Sequence, residues 1–220
     1  MALARIAVLI SGRGSNLDAL TSACARGAID GAVTTVISNR ADAAGIARAH
    51  DAGIATSIVD HRAHGTREAF DDALTAAIAR AEPDLVVLAG FMRVLGEAFV
   101  RAHEGRLVNI HPSLLPLYPG LHTHRRALAD GVKLHGCSVH FVTATVDGGP
   151  LIAQGAVPVL PDDDEATLAA RVLAVEHQLL PGVVGALCRG DVTLVDGRVR
   201  WHDAPADPRA SLLSPPLTRT

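Results

Sequence analysis

The chain has 220 residues and a formal net charge of -3 at pH 7, with lysine and arginine scattered instead of gathered in stripes. This charge pattern excludes a dedicated nucleic-acid surface, and no apolar run approaches the roughly 20 residues needed to cross a bilayer. The first residues lack the pattern of a signal peptide and the three cysteines lack a disulfide or zinc pattern, so we expect a protein of the cytoplasm.

Short apolar runs alternate with amphipathic segments in the first half of the chain. Runs rich in Val, Ile and Leu predict buried strands over residues 6–10, 33–37, 85–88 and 107–110. Apolar residues at helical spacing predict helices over residues 16–26, 42–51 and 67–81, the last behind a capping threonine, Thr66. Repeated strand–helix units of this kind imply an α/β fold, a parallel sheet with helices on both of its faces.

The second half of the chain has a different pattern. Residues 135–143 and 151–159 are expected to pair as antiparallel strands across a turn at residues 147–150. A long helix is predicted over residues 165–188, followed by a hairpin formed by residues 193–195 and 198–201. Residues 203–220 are rich in proline, serine and alanine, which predicts a poorly ordered tail after a single domain over residues 1–202.

A glycine-containing loop, with Gly12 and Gly14, links the first predicted strand to the first predicted helix. Glycines let the backbone approach an anion, and a helix start adds free N–H groups and the positive end of the helix dipole. Leu17 stands where a dinucleotide fingerprint needs its third glycine, and no Walker motif follows. An ordinary turn and a phosphate site both remain open, and the side-chain donors of Ser15 and Asn16 favour a phosphorylated ligand.

Two polar residues, Asn109 and His111, end the fourth predicted strand, and Pro112 stops it. Their spacing of two puts both side chains on one face, at the carboxyl end of a parallel strand where ligands bind in such sheets. An amide beside an imidazole can hold a developing oxyanion and move a proton, although a lone histidine is more often hydrogen-bonded within a loop. The loop that follows carries Pro116 and Pro119 and is stiff, which favours a preorganised site. Whether the peptide bond before Pro116 is cis stays open.

The segment NIHPSLLP, residues 109–116, resembles the signature of the folate-dependent formyltransferases. Residues 118–125 (YPGLHTHR), 10–17 (ISGRGSNL), 88–93 (LAGFMR) and 139–143 (VHFVT) narrow the resemblance to the phosphoribosylglycinamide formyltransferase family. It extends from about residue 6 to residue 197. It implies a Rossmann-like, mostly parallel sheet flanked by helices, with antiparallel strands in the C-terminal half.

The resemblance also implies a reaction and a catalytic trio. The formyl group of 10-formyltetrahydrofolate would pass to the glycinamide amine of 5-phosphoribosylglycinamide in de novo purine biosynthesis, with no metal. Asn109 and His111 would stabilise the tetrahedral oxyanion. Asp147 is by spacing alone a turn residue; the resemblance makes it the partner that raises the pKa of His111 and assists proton transfer.

Glu176 falls inside an apolar helical stripe, where a charge needs a partner, so it predicts either a structural salt bridge or a ligand contact. The resemblance assigns it to the phosphoribosylglycinamide site together with Gly14, Ser15 and Asn16. The folate contacts that it implies are Arg67, Met92, Arg93, Val94, Leu95, Asn109, Thr143, Ala144 and Val146. His122 and His140 would support the site instead of binding a metal.

Several alternative functions fit the sequence less well. A methionyl-tRNA formyltransferase would need a C-terminal RNA-binding domain, and a formyltetrahydrofolate hydrolase an N-terminal regulatory domain. A non-catalytic nucleotide- or folate-binding module would have no use for Asn109, His111 and Asp147 together, and Leu17 disfavours a Rossmann oxidoreductase. The expected partners are therefore small-molecule substrates, with no nucleic acid and no membrane, for a monomer or a homodimer.

Overall fold

A seven-stranded sheet organises residues 3–202, the part of the chain that the computed structural model describes. Its strands are β1 (Ala4–Ile10), β2 (Gly31–Ser38), β3 (Ala55–Ile58), β4 (Leu85–Leu88), β5 (Leu107–His111), β6 (Leu134–Phe141) and β7 (Leu151–Pro158). They lie in the order β3-β2-β1-β4-β5-β6-β7. Strands β1 to β5 pair in parallel, whereas β6 is antiparallel to both of its neighbours. The predicted fold class is confirmed.

Six helices connect or follow the strands among the described residues. They are α1 (Ser15–Ala25), α2 (Ala44–Asp51), α3 (Arg67–Ala81), α4 (Glu97–Ala102), α5 (Thr123–Ala129) and α6 (Glu165–Arg189). Strands β8 (Val192–Val195) and β9 (Arg198–Trp201) form the predicted hairpin. Within residues 3–202, no helix combines the length and apolar character that crossing a bilayer requires. The tail predicted for residues 203–220 lies outside the described residues.

The sheet buries both of its faces, and β1 illustrates how. Ile6, Val8 and Ile10 pack into one hydrophobic cluster with residues of α1 and α6. Ala7 and Leu9, which point the opposite way, join a second cluster with residues of α3 and α4. Because side chains alternate along a strand, a strand covered on both faces must be apolar at every position. This requirement explains the continuous apolar runs that predicted the strands.

The sheet order creates a crevice beside β1. From β1 the chain proceeds outward through β2 and β3, then returns to place β4 and β5 on the other side. In open α/β sheets, ligands bind at such a switch point, beyond the carboxyl ends of the strands. The backbone N–H of Ser11, after β1, donates to the carbonyl of Gly90, after β4, at 3.1 Å. The glycine loop and the segment after β4 therefore meet at this crevice.

Three short elements, β3, α4 and α5, were not predicted from the sequence. Strand β3 is an edge strand with mostly exposed side chains, so it lacks an apolar run. Helices α4 and α5 have six and seven residues, fewer than two full turns. A hydrophobic period cannot be recognised over so short a length.

Candidate active site

His111 ends β5 with its imidazole buried and both ring nitrogens facing oxygen atoms. Its Nε2 lies 2.9 Å from the carbonyl oxygen of Tyr118, and since a carbonyl only accepts, Nε2 is the donor. Its Nδ1 lies 3.4 Å from Oδ2 of Asp147, at a position where both side chains are about nine-tenths buried. The two acceptor oxygens thus lie on opposite sides of the ring and fix its orientation.

Asp147 lies in the turn between β6 and β7, and it contacts His111 because that turn folds back over the sheet. Strand β6 ends at Phe141, which pairs with Val108 near the start of β5, whereas Asp147 reaches the end of β5. Its backbone has a φ of 51°, in the left-handed region that aspartate tolerates better than most residues. Its Oδ2 also accepts from the backbone N–H of Gly120 at 2.8 Å. Asp147 is thus both a turn residue and the neighbour of His111.

Asn109 lies opposite His140 in the pairing of β5 with β6. Nδ1 of His140 lies 2.9 Å from the carbonyl of Phe141 and donates to it, so Nε2 of the neutral ring is an acceptor. Burial lowers the pKa of His140, which keeps the ring neutral beside Asp147. Nδ2 of Asn109 donates to that Nε2 at 3.1 Å. The contact therefore fixes which end of the carboxamide is the amide nitrogen, and it places His140 next to the predicted site residue Asn109.

The proline-rich loop after β5 is tied to β6 and β7 by side-chain hydrogen bonds. Ser138 donates to the carbonyl of Ser113 at 2.7 Å and accepts from the backbone N–H of Leu115 at 3.0 Å. Gln154 donates to the carbonyl of Leu115 at 2.9 Å. The Leu115–Pro116 peptide bond is cis. The sequence indicated that this loop is stiff, but it gave no sign that Ser138 and Gln154 would hold it.

The glycine loop begins α1 at the crevice. Gly14 precedes the helix with a φ of 80°, and a Cβ there would lie 2.8 Å from the Cα of Gly45. Both the backbone conformation and the close approach of α2 therefore require glycine. The first backbone N–H groups of an α-helix have no partner within the helix, and they carry the positive end of its dipole. Ser15 and Asn16 open α1 at this position, as a phosphate site requires.

Glu176 lies on α6 with 7% of its surface exposed, and its partner is an amide instead of a cation. Nδ2 of Asn16 donates to Oε2 of Glu176 at 2.7 Å. Burial raises the pKa of the Glu176 carboxyl. Oδ1 of Asn16 is buried and has no hydrogen-bond partner among residues 3–202. The pair thus joins α6 to the start of α1 and leaves Asn16 Oδ1 unpaired in that part of the chain. The predicted salt bridge is not formed, because no cation pairs with Glu176 among the described residues.

The segments predicted to contact folate lie near one another. Met92, Arg93 and Val94 are exposed after β4, whereas the side chain of Leu95 is buried in the same hydrophobic cluster as Phe91. Val142, which packs on that cluster, leads directly into the predicted contacts Thr143, Ala144 and Val146, of which the last two are exposed. The Arg67 side chain is half exposed at the start of α3. Because the Leu95 side chain is buried, this residue could contact a ligand only through its backbone.

The histidine motif that begins at His122 does not form a metal centre among the described residues, which contain no group of three or more possible ligands. His122 precedes α5 with a φ of 58°. His124 instead pairs with His135, Nδ1 to Nε2 at 3.2 Å, beneath Tyr118. Burial lowers the pKa of His135 to about 4. No sequence pattern predicts this pair, because the two residues come together only where α5 contacts β6.

Comparisons with known proteins show the family of the chain. Residues 4–184 match the formyl transferase family. The chain is 52% identical over 198 residues to phosphoribosylglycinamide formyltransferase of Escherichia coli, covering 90% of each protein. It is 50% identical over 188 residues to the trifunctional purine biosynthetic protein adenosine-3 of Drosophila melanogaster, but it spans only 14% of that longer protein. The crystal structure of glycinamide ribonucleotide transformylase 1 from Symbiobacterium toebii superposes with a TM-score of 0.89 at 47% identity, over 92% of this chain and 95% of that one. The chain therefore belongs to the formyl transferase family and, within it, to the phosphoribosylglycinamide formyltransferases.

Proposed function

We propose that the chain transfers the formyl group of 10-formyltetrahydrofolate to the glycinamide amine of 5-phosphoribosylglycinamide in de novo purine biosynthesis. One observation carries the proposal: Asp147 Oδ2 lies 3.4 Å from His111 Nδ1, and Asn109 lies two residues earlier on the same strand. The names of the relatives support phosphoribosylglycinamide as the acceptor. The folate is a co-substrate, consumed and released, and no step is assigned to a metal.

The reaction needs a stabilised oxyanion and a proton transfer. The amine nitrogen attacks the formyl carbon, a C–N bond forms, and the carbonyl oxygen becomes an alkoxide. Collapse of this intermediate breaks the bond to N10 of the folate, which takes up a proton, while the former amine gives one up. Asp147 is suited to carry this proton, directly or through water, because a carboxylate can accept a proton as a general base and return it as a general acid.

Asn109 and His111 would donate hydrogen bonds to the oxyanion. The Asn109 amide donates one N–H to His140, and its second N–H is used in no hydrogen bond among residues 3–202. The Nε2 proton of His111 is engaged by the Tyr118 carbonyl. Direct donation from His111 to the substrate therefore requires that Tyr118 contact to be exchanged. A preorganised N–H donor stabilises an alkoxide strongly in a site that excludes water.

The two substrates would occupy opposite sides of this trio. The phosphate of the acceptor suits the backbone N–H groups at Gly14, Ser15 and Asn16, where the helix dipole is positive. The carboxylate of Glu176 repels phosphate, so it would accept from the ribose hydroxyls, with Asn16 Oδ1 beside it.

On the other side, the exposed apolar side chains of Met92, Val94 and Val146 suit the flat rings of the folate. Arg67 and Arg93 suit its carboxylates, because guanidinium groups pair with carboxylates. Leu95, Thr143 and Ala144 would contribute mainly backbone contacts. Asn109 would face the formyl group itself.

The direct test is to mix the protein with 5-phosphoribosylglycinamide and 10-formyltetrahydrofolate and to follow the tetrahydrofolate product by absorbance. We expect product formation that requires both substrates and protein. A parallel reaction without the amine measures hydrolysis. Product at the same rate in that reaction would contradict a transferase and identify a hydrolase, and no product in either would refute the proposed chemistry.

A further inference from the structure

The segment after β4 that carries Met92 and Val94 is held at each end by a buried side-chain oxygen. Ser11 Oγ accepts from the backbone N–H of Met92 at 2.8 Å. Asp71 Oδ2, from α3, accepts from the backbone N–H of Gly96 at 2.7 Å. Between these two points Met92 and Val94 are 64% and 53% exposed. The two contacts thus fix the backbone at both ends of a segment whose apolar side chains are exposed.

The carboxylate of Asp71 is buried, which is unfavourable for a charged group. Asp71 is 8% exposed and lies on α3, the helix that contributes Phe70 and Leu74 to the core. Its Oδ1 has no hydrogen-bond partner within the described part of the chain. Burial raises the pKa of the carboxyl, which means that the ionised group lowers the stability of the fold at neutral pH. The stability of α3 alone does not account for a carboxylate here.

The contact with Asp71 also depends on the absence of a side chain at Gly96. Its φ of -72° and ψ of 160° suit any residue, so its backbone conformation does not require glycine. A Cβ at this position would instead lie 2.6 Å from Asp71 Oδ2, closer than the two atoms can approach. The absence of a side chain is therefore what admits the carboxylate to the Gly96 N–H.

The same turn of α3 also carries Arg67, four residues before Asp71. The Arg67 Nε would lie 3.9 Å from a Cβ at Gly96, and its positive charge opposes the rise in the pKa of Asp71. One turn of α3 thus carries both the cation Arg67 and Asp71, which holds the Gly96 N–H. Arg67 is assigned to the folate carboxylates in the proposed function, so Asp71 lies beside a residue of the folate site.

We propose that Asp71 is a positioning residue that holds the segment of Met92 and Val94 in the shape that receives the folate. This inference rests on the proposed function, because it concerns the folate side of that site. Asp71 touches neither substrate in this account. Its loss changes binding of the folate by releasing the Gly96 N–H, while the trio around His111 and the phosphate loop stay in place.

The test compares Asp71→Ala, Asp71→Asn and the control Asp72→Ala, which removes the neighbouring exposed carboxylate of the same helix. Asp71→Ala should raise KM for 10-formyltetrahydrofolate by about tenfold, as expected for loss of one charge-assisted hydrogen bond, with kcat and KM for the acceptor within about twofold. Asparagine keeps an acceptor oxygen, so Asp71→Asn should restore most of the folate affinity. Its melting temperature at neutral pH should equal or exceed that of the wild type, because the cost of the buried charge is gone.

A purely structural cap of α4 would behave differently. Asp71→Ala would then lower the melting temperature while KM for the folate stayed at the wild-type value, and that result overturns the proposal. Wild-type protein that transfers no formyl group at all refutes the proposed function instead, so the two failures are distinguishable.

A second pair of variants covers the case in which Asp71→Ala does not fold. Gly96→Ala forces the carboxylate away from the N–H and should raise KM for the folate about as much as Asp71→Ala is expected to. Adding Gly96→Ala to Asp71→Asn should cancel the rescue by asparagine, since the same oxygen is displaced. An unchanged KM for the folate in Gly96→Ala overturns the proposal independently of Asp71→Ala.

Discussion

Replacing His140 by leucine removes the acceptor that orients the Asn109 carboxamide. The contact joins Asn109 Nδ2 to His140 Nε2 at 3.1 Å, in a pair of which His140 is 2% exposed. Loss of an ordinary hydrogen bond costs about 1 kcal/mol, which is about fivefold in rate if it is felt only in the transition state. If the amide rotates so that its oxygen faces the alkoxide, a whole oxyanion donor is lost, about 3 kcal/mol or a hundredfold. We therefore expect kcat to fall by between these limits.

The measurement is steady-state formyl transfer with both substrates varied. KM for each substrate should stay within about twofold, because neither is held by His140 in this account. His103→Leu is the matched control: His103 is 3% exposed, its Nδ1 lies 2.8 Å from the Phe99 carbonyl, and it lies at the end of α4. A folded His140→Leu variant with the kcat of His103→Leu would refute the orienting role.

Three further predictions concern the phosphate site and the buried titratable groups. Gly14→Val puts a side chain against Gly45 at a φ of 80°, so KM for the phosphoribosyl substrate should rise by about tenfold or more with kcat less affected, and an unchanged KM would sink the phosphate-site assignment. Burial raises the pKa of Glu176, so this group contributes stability below its ordinary pKa and loses that contribution as pH rises. Glu176→Gln should therefore have a higher melting temperature than the wild type at pH 7 but not at acidic pH. A difference in melting temperature that does not depend on pH would contradict this prediction. The pKa of His135 is lowered from 6.5 to about 4, so about 3 kcal/mol of stability present above pH 6.5 should be lost as pH falls to 4, and denaturant unfolding of His135→Phe should show a shallower acid slope than the wild type.

The parts of the fold that could be predicted are those in which one local pattern decides the structure. The bounds of α3 follow from Thr66, whose side chain accepts from the N–H of Ala69, and from the apolar spacing behind it. Strand β4 is apolar at all four positions because both faces are covered. Strand β3 lies at an edge and needs no such run, so only its pairing with β2 reveals it.

The candidate site divides in the same way. The pairing of Asn109 with His111 on one face follows from the period of a strand, and Pro112 marks where that strand ends. The contact of Asp147 with His111 depends on a turn that folds back over β5, which no local pattern specifies. The His111 side chain donates to the backbone carbonyl of Tyr118, seven residues later, and a backbone acceptor leaves no trace in residue types. The prolines indicated only that the loop is rigid.

Asp147→Asn tests the catalytic trio most directly. Asparagine also tolerates the φ of 51° and keeps the size of the side chain, so the turn should persist while the charge and the proton acceptor are lost. Asp196→Asn is the control, because Asp196 has the same φ of 51° and also precedes a glycine, in the exposed turn between β8 and β9. We predict that Asp147→Asn lowers kcat by about a hundredfold or more while KM for both substrates stays near the wild-type value, and that Asp196→Asn changes neither. Normal turnover with weakened binding in Asp147→Asn would contradict the proposed mechanism.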